Sequence, residues 1–188
     1  EYYDLYGWEK PAWFNKENIK EELSYSRNNI HSIIQKECIH VSEHVGIIDL
    51  STFSKYEITG EDSFTFLDRL CSNIIPKKNG SIALTHIHNK IGRIQSELTI
   101  TKVKDNHYYG LSAALSEIRD LDWFNQNKLK DEKVDIKNIT NQYGVLGLIG
   151  PKSREVLRKI TKENIENENF PWLKAKEIEI NNIKVLAL

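Results

Sequence analysis

Apolar residues recur along this chain with two periods, close to 3.6 and close to 2, and the switches between them lay out its elements. From Asn28 to Ser42 they fall at Ile30, Ile33, Ile34, Cys38, Ile39 and Val41, which is helical spacing. Val45–Leu50 is a short apolar run that reads as a buried strand, closed by Ser51-Thr52-Phe53-Ser54. Lys55–Thr59 alternates and reads as a second strand ended by Gly60. Glu61 and Asp62 suit a helix N-terminus, and the apolar side of that helix is Phe64, Leu67 and Leu70 with Cys71. Asn73, Pro76 and Lys77-Lys78-Asn79-Gly80 then make a loop and turn. Ile82–His88 is strand-like, with His86 and His88 on one face. Asn89-Lys90-Ile91-Gly92 turns the chain into Arg93–Val103, which alternates strictly. Ile94, Ser96, Leu98 and Ile100 take one face, and Gln95, Glu97, Thr99 and Thr101 the other. After Asp105-Asn106, His107–Ser112 continues an antiparallel meander.

Ala113–Lys130 returns to helical spacing, with Leu115, Ile118, Leu121, Trp123 and Phe124 inward and Glu117, Arg119, Asp120 and Asp122 as the solvated side. Val134–Ile139 alternates, and the almost wholly apolar Tyr143–Ile149 reads as a central strand. Pro151 fits the first turn of a helix that follows Gly150. A helix N-terminus there can hold an anion, but a plain structural start is favoured. Phe170-Pro171-Trp172 sits in a loop, and Glu177–Ile180, Asn181-Asn182 and Ile183–Leu188 read as a hairpin. Antiparallel strands with interspersed helices predict an α+β fold with a mixed, mainly antiparallel sheet and packed helices. At the start, five of the first fourteen residues are Tyr or Trp, and Gly7 and Pro11 break any helix. Those rings predict either an anchor on the domain's own surface or a junction packed against a neighbouring domain. Residues 15–27 are polar loop.

Composition narrows the classes. With 188 residues, 39% hydrophobic content and a net charge of −1, the chain holds a core and has no basic excess for nucleic acid. No apolar run is long enough to cross a bilayer, and the acidic, aromatic N-terminus carries no secretory signal. Cys38 and Cys71 share no metal spacing and read as buried free thiols of a reducing compartment. His40 and His44 are four apart, as a metal pair would be, yet no third ligand is placed, so capping or surface roles are preferred and no metal is expected. Methionine is absent, including at position 1, and the last strand has nothing after it; the chain reads as a fragment. There is no GxGxxG, P-loop, GxSxG or zinc motif. Glu97 is left as the one candidate for chemistry: an exposed carboxylate, one paired with Arg93, or an acid, base or orienting group for a protonatable nitrogen.

The order Val45-Gly46-Ile47-Ile48-Asp49-Leu50-Ser51, Gly60, Leu70-x-x-Asn73, Gly80, Asn89-x-x-Gly92, Arg93–Ile100 and Gly150-Pro151-Lys152-Ser153-Arg154 resembles the folate-binding domain of the glycine cleavage T-protein, an aminomethyltransferase. The likeness runs from about residue 40 to the end. Tyr6-Gly7-Trp8-Glu9-Lys10-Pro11-Ala12-Trp13-Phe14 and Arg119-Asp120-Leu121-Asp122-Trp123 resemble the T-protein-like half of dimethylglycine and sarcosine dehydrogenases. That resemblance implies a truncated T-protein-like fold, with residues 1–27 as the junction to a missing FAD-bearing flavin domain and 28–188 as the N-terminal part of the folate domain. It implies oxidation of an N-methylated glycine on the flavin domain and capture of the one-carbon unit by tetrahydrofolate. The family's aspartate near N10 of folate falls at Glu97, its pterin-facing tyrosine at Leu84, its pterin-side methionine at Phe53 and a strand asparagine near Ser112. A pterin-anchoring glutamate and a later arginine of the family lie beyond Leu188. The implied partners are the small substrate and the flavin domain of the same chain, with no nucleic acid or membrane. The implied compartment is the cytoplasm, or the mitochondrial matrix in a eukaryote. A stand-alone aminomethyltransferase and a non-catalytic folate-binding module are the alternatives.

Overall fold

The computed structural model describes residues 2–5, 7–15, 17 and 19–188; Tyr6 of the aromatic segment lies outside them. The chain divides into two compact units, residues 1–49 with 146–156, and residues 50–145 with 157–188. In the first, strands β1 (Tyr2–Leu5) and β2 (Trp8–Pro11) form a hairpin around Gly7, whose φ is +81°. Helix α1 (His31–Glu43) buries none of its residues, so Cys38 is exposed rather than buried. Strands β3 (Gly46–Asp49) and β9 (Leu146–Ile149) pair only with each other, antiparallel. The segments expected as a buried strand and a central strand therefore form a two-stranded ribbon whose Ile47, Ile48, Leu146 and Ile149 are exposed. An apolar run marks a strand but not its neighbours; among the described residues no further strand pairs with either. The short helix α4 (Ser153–Leu157) follows Gly150 and Pro151.

The second unit is built on a five-stranded sheet of order β5-β6-β7-β4-β8, all pairs antiparallel. Its strands are β4 (Ser54–Thr59), β5 (Ile82–His88), β6 (Ile94–Lys104), β7 (His107–Ser112) and β8 (Asp135–Asn138). Period-two alternation decides the faces. Tyr56 and Ile58, Ile87, Leu98 and Ile100, and Tyr108 point to one side and form the core. Helices α2 (Ser63–Leu70) and α3 (Glu117–Asn127) cover that side through Phe66, Leu67 and Phe124. Phe124 meets Tyr56 edge-on with ring centroids 5.3 Å apart, a favoured aromatic geometry. Strands β10 (Lys176–Ile180) and β11 (Ile183–Ala187) make the expected hairpin, with Asn181 and Asn182 both at positive φ as a type I′ turn requires.

Glu61 and Asp62 open α2 as read, Asp62 being its N-cap residue, but their side chains are turned to Lys133: Asp62 accepts a hydrogen bond from the Lys133 backbone N–H at 2.8 Å, and Glu61 pairs with the Lys133 ammonium. Further on, a 3₁₀ turn at Ala114–Ser116 precedes α3 and resets the helical phase. Leu115 and Ile118 consequently turn outward, while Asp120, expected on the solvated side, is 1% exposed. Ser96 on β6 explains why Asp120 is tolerated there: its hydroxyl donates to Asp120 Oδ2 at 2.7 Å, and Arg119 Nε stands 3.5 Å from Oδ1.

Candidate functional site

The sheet face opposite the core carries the candidate chemistry. On it, Leu84 and His86 of β5 stand beside Glu97 and Thr99 of β6, paired as Leu84–Thr99 and His86–Glu97. Thr99 pairs onward with Leu111 of β7, and Leu111 with Lys55 of β4. Continuing that register by one pair beyond the end of β7 puts Phe53 in the same row as Glu97, two strands away and on the same face. Leu84 and Phe53 are 51% and 39% exposed and the Glu97 side chain 63%, so a carboxylate and two apolar side chains stand open on one face.

Ser112 is not with them. It faces the core, is buried and pairs with Ser54. Its hydroxyl has no hydrogen-bond partner within bonding distance, although it lies near the Tyr56 phenol. Burial pushes that phenol up to about 12, and the nearby Ser112 hydroxyl pulls the other way. Tyr56 donates to the Glu117 carbonyl at 2.8 Å, so this region is a polar seam between sheet and helix.

Glu97 is held by a residue that pattern reading left without a role. His86 Nε2 lies 3.1 Å from Glu97 Oε2; Arg93, the partner expected from sequence, is not the one that pairs. A plain four-residue turn over 89–92 would set His86 opposite Gln95. His88 pairs with Ile94 rather than Arg93, which moves His86 one position, and the register shift between Ile87 and His88 moves it a second, opposite Glu97. No sequence signal marks that bulge. A second pair, His107 Nε2 to Glu57 Oε1 at 3.0 Å, lies on the same face. Lys55, also on that face, is buried, and its ammonium donates to the carbonyls of Ser51, Phe53 and Thr140 at 2.8, 2.9 and 3.0 Å; it holds the loop that presents Phe53.

Elsewhere the unit has a shallow hollow of about 630 Å³ lined by Lys77, Lys78, Phe170 and Lys174 among others, and one of about 430 Å³ along α3 beside Gln95. Neither includes the four candidate residues. His40 and His44 have ring centroids 4.9 Å apart, and His44 Nδ1 lies 2.8 Å from the Lys152 ammonium. Among the described residues no group of three or more His, Cys, Asp and Glu is placed to hold a metal ion, and no helix is long and apolar enough to cross a membrane.

A family model described as the GCVT N-terminal domain matches residues 1–188. The chain belongs to the GCVT N-terminal domain family. Mitochondrial dimethylglycine dehydrogenase of Rattus norvegicus is 37% identical to this GCVT domain over 185 residues, covering 97% of the chain and 22% of that protein. The Homo sapiens protein of the same name is 36% identical over 185 residues, covering 97% and 21%. The GCVT domain in hand thus spans about a fifth of the length of these relatives. The mitochondrial pyruvate dehydrogenase phosphatase regulatory subunit of Mus musculus is 25% identical over 195 residues, covering 98% of the chain and 22% of that protein. Among solved structures, glycine cleavage system aminomethyltransferase T from Bartonella henselae superposes with a TM-score of 0.74 at 15% identity, over 95% of this chain and 44% of that one. Heterotetrameric sarcosine oxidase from Corynebacterium sp. U-96 gives 0.60 at 15% identity, over 87% and 80%. These two establish the fold: the α+β arrangement read from the sequence is that of the glycine cleavage T-protein.

Proposed function

We propose that this chain is the N-terminal part of the folate-binding domain of a dimethylglycine or sarcosine dehydrogenase-like flavoprotein, and that it helps transfer a one-carbon unit from an N-methylated glycine to tetrahydrofolate. The observation that carries the reading is the identity of 36–37% to dimethylglycine dehydrogenases across 97% of the chain. The face bearing Glu97 supports it, because an acid sharing an open face with Leu84 and Phe53 suits a flat, partly apolar ring system with N–H groups. Ser112 fits less well: it lies behind that face and reaches a ligand only through the sheet. Tetrahydrofolate supplies the two nitrogens, N5 and N10, that take up the carbon as a methylene bridge. Glu97 accepts the proton that N10 gives up as its bond to that carbon forms, and Phe53 and Leu84 shield the reacting edge from water. FAD belongs, on this reading, to a flavin domain of the same polypeptide, and the mitochondrial relatives support a matrix location for a eukaryotic protein.

General-base groups contribute about 10²-fold or more to such steps. Titrating the full-length protein with tetrahydrofolate should therefore show methylene-tetrahydrofolate formation falling by about that factor in Glu97→Ala. An unchanged yield removes Glu97 from the reaction. A second reading, a non-catalytic module, draws on the likeness to a regulatory subunit. It predicts folate binding, or none, with no one-carbon transfer by the unmodified protein. The fold likeness to aminomethyltransferase T supports the third, a stand-alone aminomethyltransferase; transfer from an aminomethyl carrier without a flavin would single it out.

A further inference from the structure

We propose that His86 is a positioning residue for Glu97, fixing one carboxylate oxygen so that the other meets the ligand; this rests on the role given to Glu97 above. His86 Nε2 is 3.1 Å from Glu97 Oε2, and Oε1 has no partner among the described residues. The histidine is itself held. Its carbonyl accepts from the Ser72 N–H at 2.9 Å and the Ser72 hydroxyl at 3.1 Å, and its ring stacks on His88 with centroids 6.4 Å apart. The Glu97 side chain, by contrast, is 63% exposed and would otherwise sample several rotamers. A partner across the strand removes that freedom before the ligand arrives, which is how positioning groups act.

The pair also accounts for the identity of residue 97. The glutamate reaches His86 Nε2 at 3.1 Å, and an aspartate there would be one methylene shorter. Both the neutral imidazole with its proton on Nε2 and the imidazolium donate to Oε2, so the arrangement needs only that proton. An exposed pair of this kind adds little to folding. Its effect belongs to the ligand, not to stability.

The test compares His86→Ala, His86→Gln, His86→Asn, Glu97→Ala and the double variant His86→Ala/Glu97→Ala in the full-length protein. One readout is the dissociation constant for 5-methyltetrahydrofolate, followed by fluorescence quenching. The other is the share of the methyl carbon of dimethylglycine recovered as methylene-tetrahydrofolate rather than formaldehyde. His86→Ala and His86→Asn, whose amide is too short, should weaken binding and capture about threefold to tenfold, with the melting temperature unmoved. His86→Gln, with a donor at the right reach, should stay within about twofold of the unmodified protein. In the Glu97→Ala background, His86→Ala should add nothing. Equal losses from His86→Ala with and without Glu97 overturn the inference and leave the role of Glu97 standing. A Glu97→Ala protein that binds and captures normally removes both.

Discussion

One methylene separates Glu97 from the aspartate that the T-protein resemblance puts at its position, and the Glu97 carboxylate stands 3.1 Å from His86 Nε2. Other single groups are decided by burial. Burial pushes the Cys71 thiol from 9.0 up to about 12, with Asp68 adding to the rise and a hydrogen bond from Thr85 opposing it. A raised pKa keeps the thiol protonated, and only the thiolate alkylates. Iodoacetamide at about pH 8 should label exposed Cys38 and spare Cys71 until the chain unfolds, as read by peptide mass. Burial likewise raises the Tyr56, Tyr108 and Tyr109 phenols from 10.0 to about 12. The folded state then holds protons that the unfolded chain releases from pH 10 upward, so stability is lost as pH rises from 10 towards 12 and is unaffected by these groups below that window. Urea midpoints across it should fall steadily. Asp120→Ala should cost about 1–3 kcal/mol by leaving the Ser96 hydroxyl without its acceptor, whereas Asp120→Asn, which keeps an oxygen there, should cost less.

Among the elements, legibility followed how local the deciding interactions are. The meander from Ile82 to Ser112 and the hairpin around Asn181-Asn182 are set by alternation and turn chemistry, and both stand as the sequence reads. The ribbon of β3 and β9 was legible as strand but not as edge, because whether an apolar run acquires two neighbours is settled far away in the chain. In α3 the heptad-like spacing points Leu115 and Ile118 inward; the 3₁₀ turn and the Ser96–Asp120 bond override it. The candidate site shows the same division. Glu97, Leu84 and Phe53 fall on one face by parity alone, while His86 is hidden by a bulge and Ser112 by the parity that separates it from Glu97. Gly60 tests the packing between elements directly. Its φ is +121°, and a Cβ there would lie 2.1 Å from the Lys133 carbonyl oxygen. Gly60→Ala should therefore destabilise the second unit by about 2–4 kcal/mol, lowering its urea midpoint.

The molecule leaves rings in water that a self-sufficient domain of this size has little reason to keep. On the hairpin of β1 and β2, Tyr2 and Tyr3 are 67% and 46% exposed, and Trp8 is also open; Trp13 alone of the aromatic segment's described rings is buried. Each such ring offers on the order of 150–250 Å² for burial against a partner. A junction of residues 1–27 with a flavin domain, as proposed, would give those rings that partner, and the relatives are about five times as long. If the rings hold that junction, replacing Tyr3 and Trp8 by Ser in the full-length protein should loosen it without touching the core sheet. Proteolysis should then cut the polar segment 15–27 faster, while the buried tyrosines keep their alkaline transition. On the proposed function capture should suffer too, since a carbon released by the flavin domain would have to reach the face bearing Glu97 before water does: the formaldehyde share should rise although Glu97 and His86 are intact. A cleavage rate and product ratio equal to those of the unmodified protein would leave the hairpin as a surface anchor of its own unit.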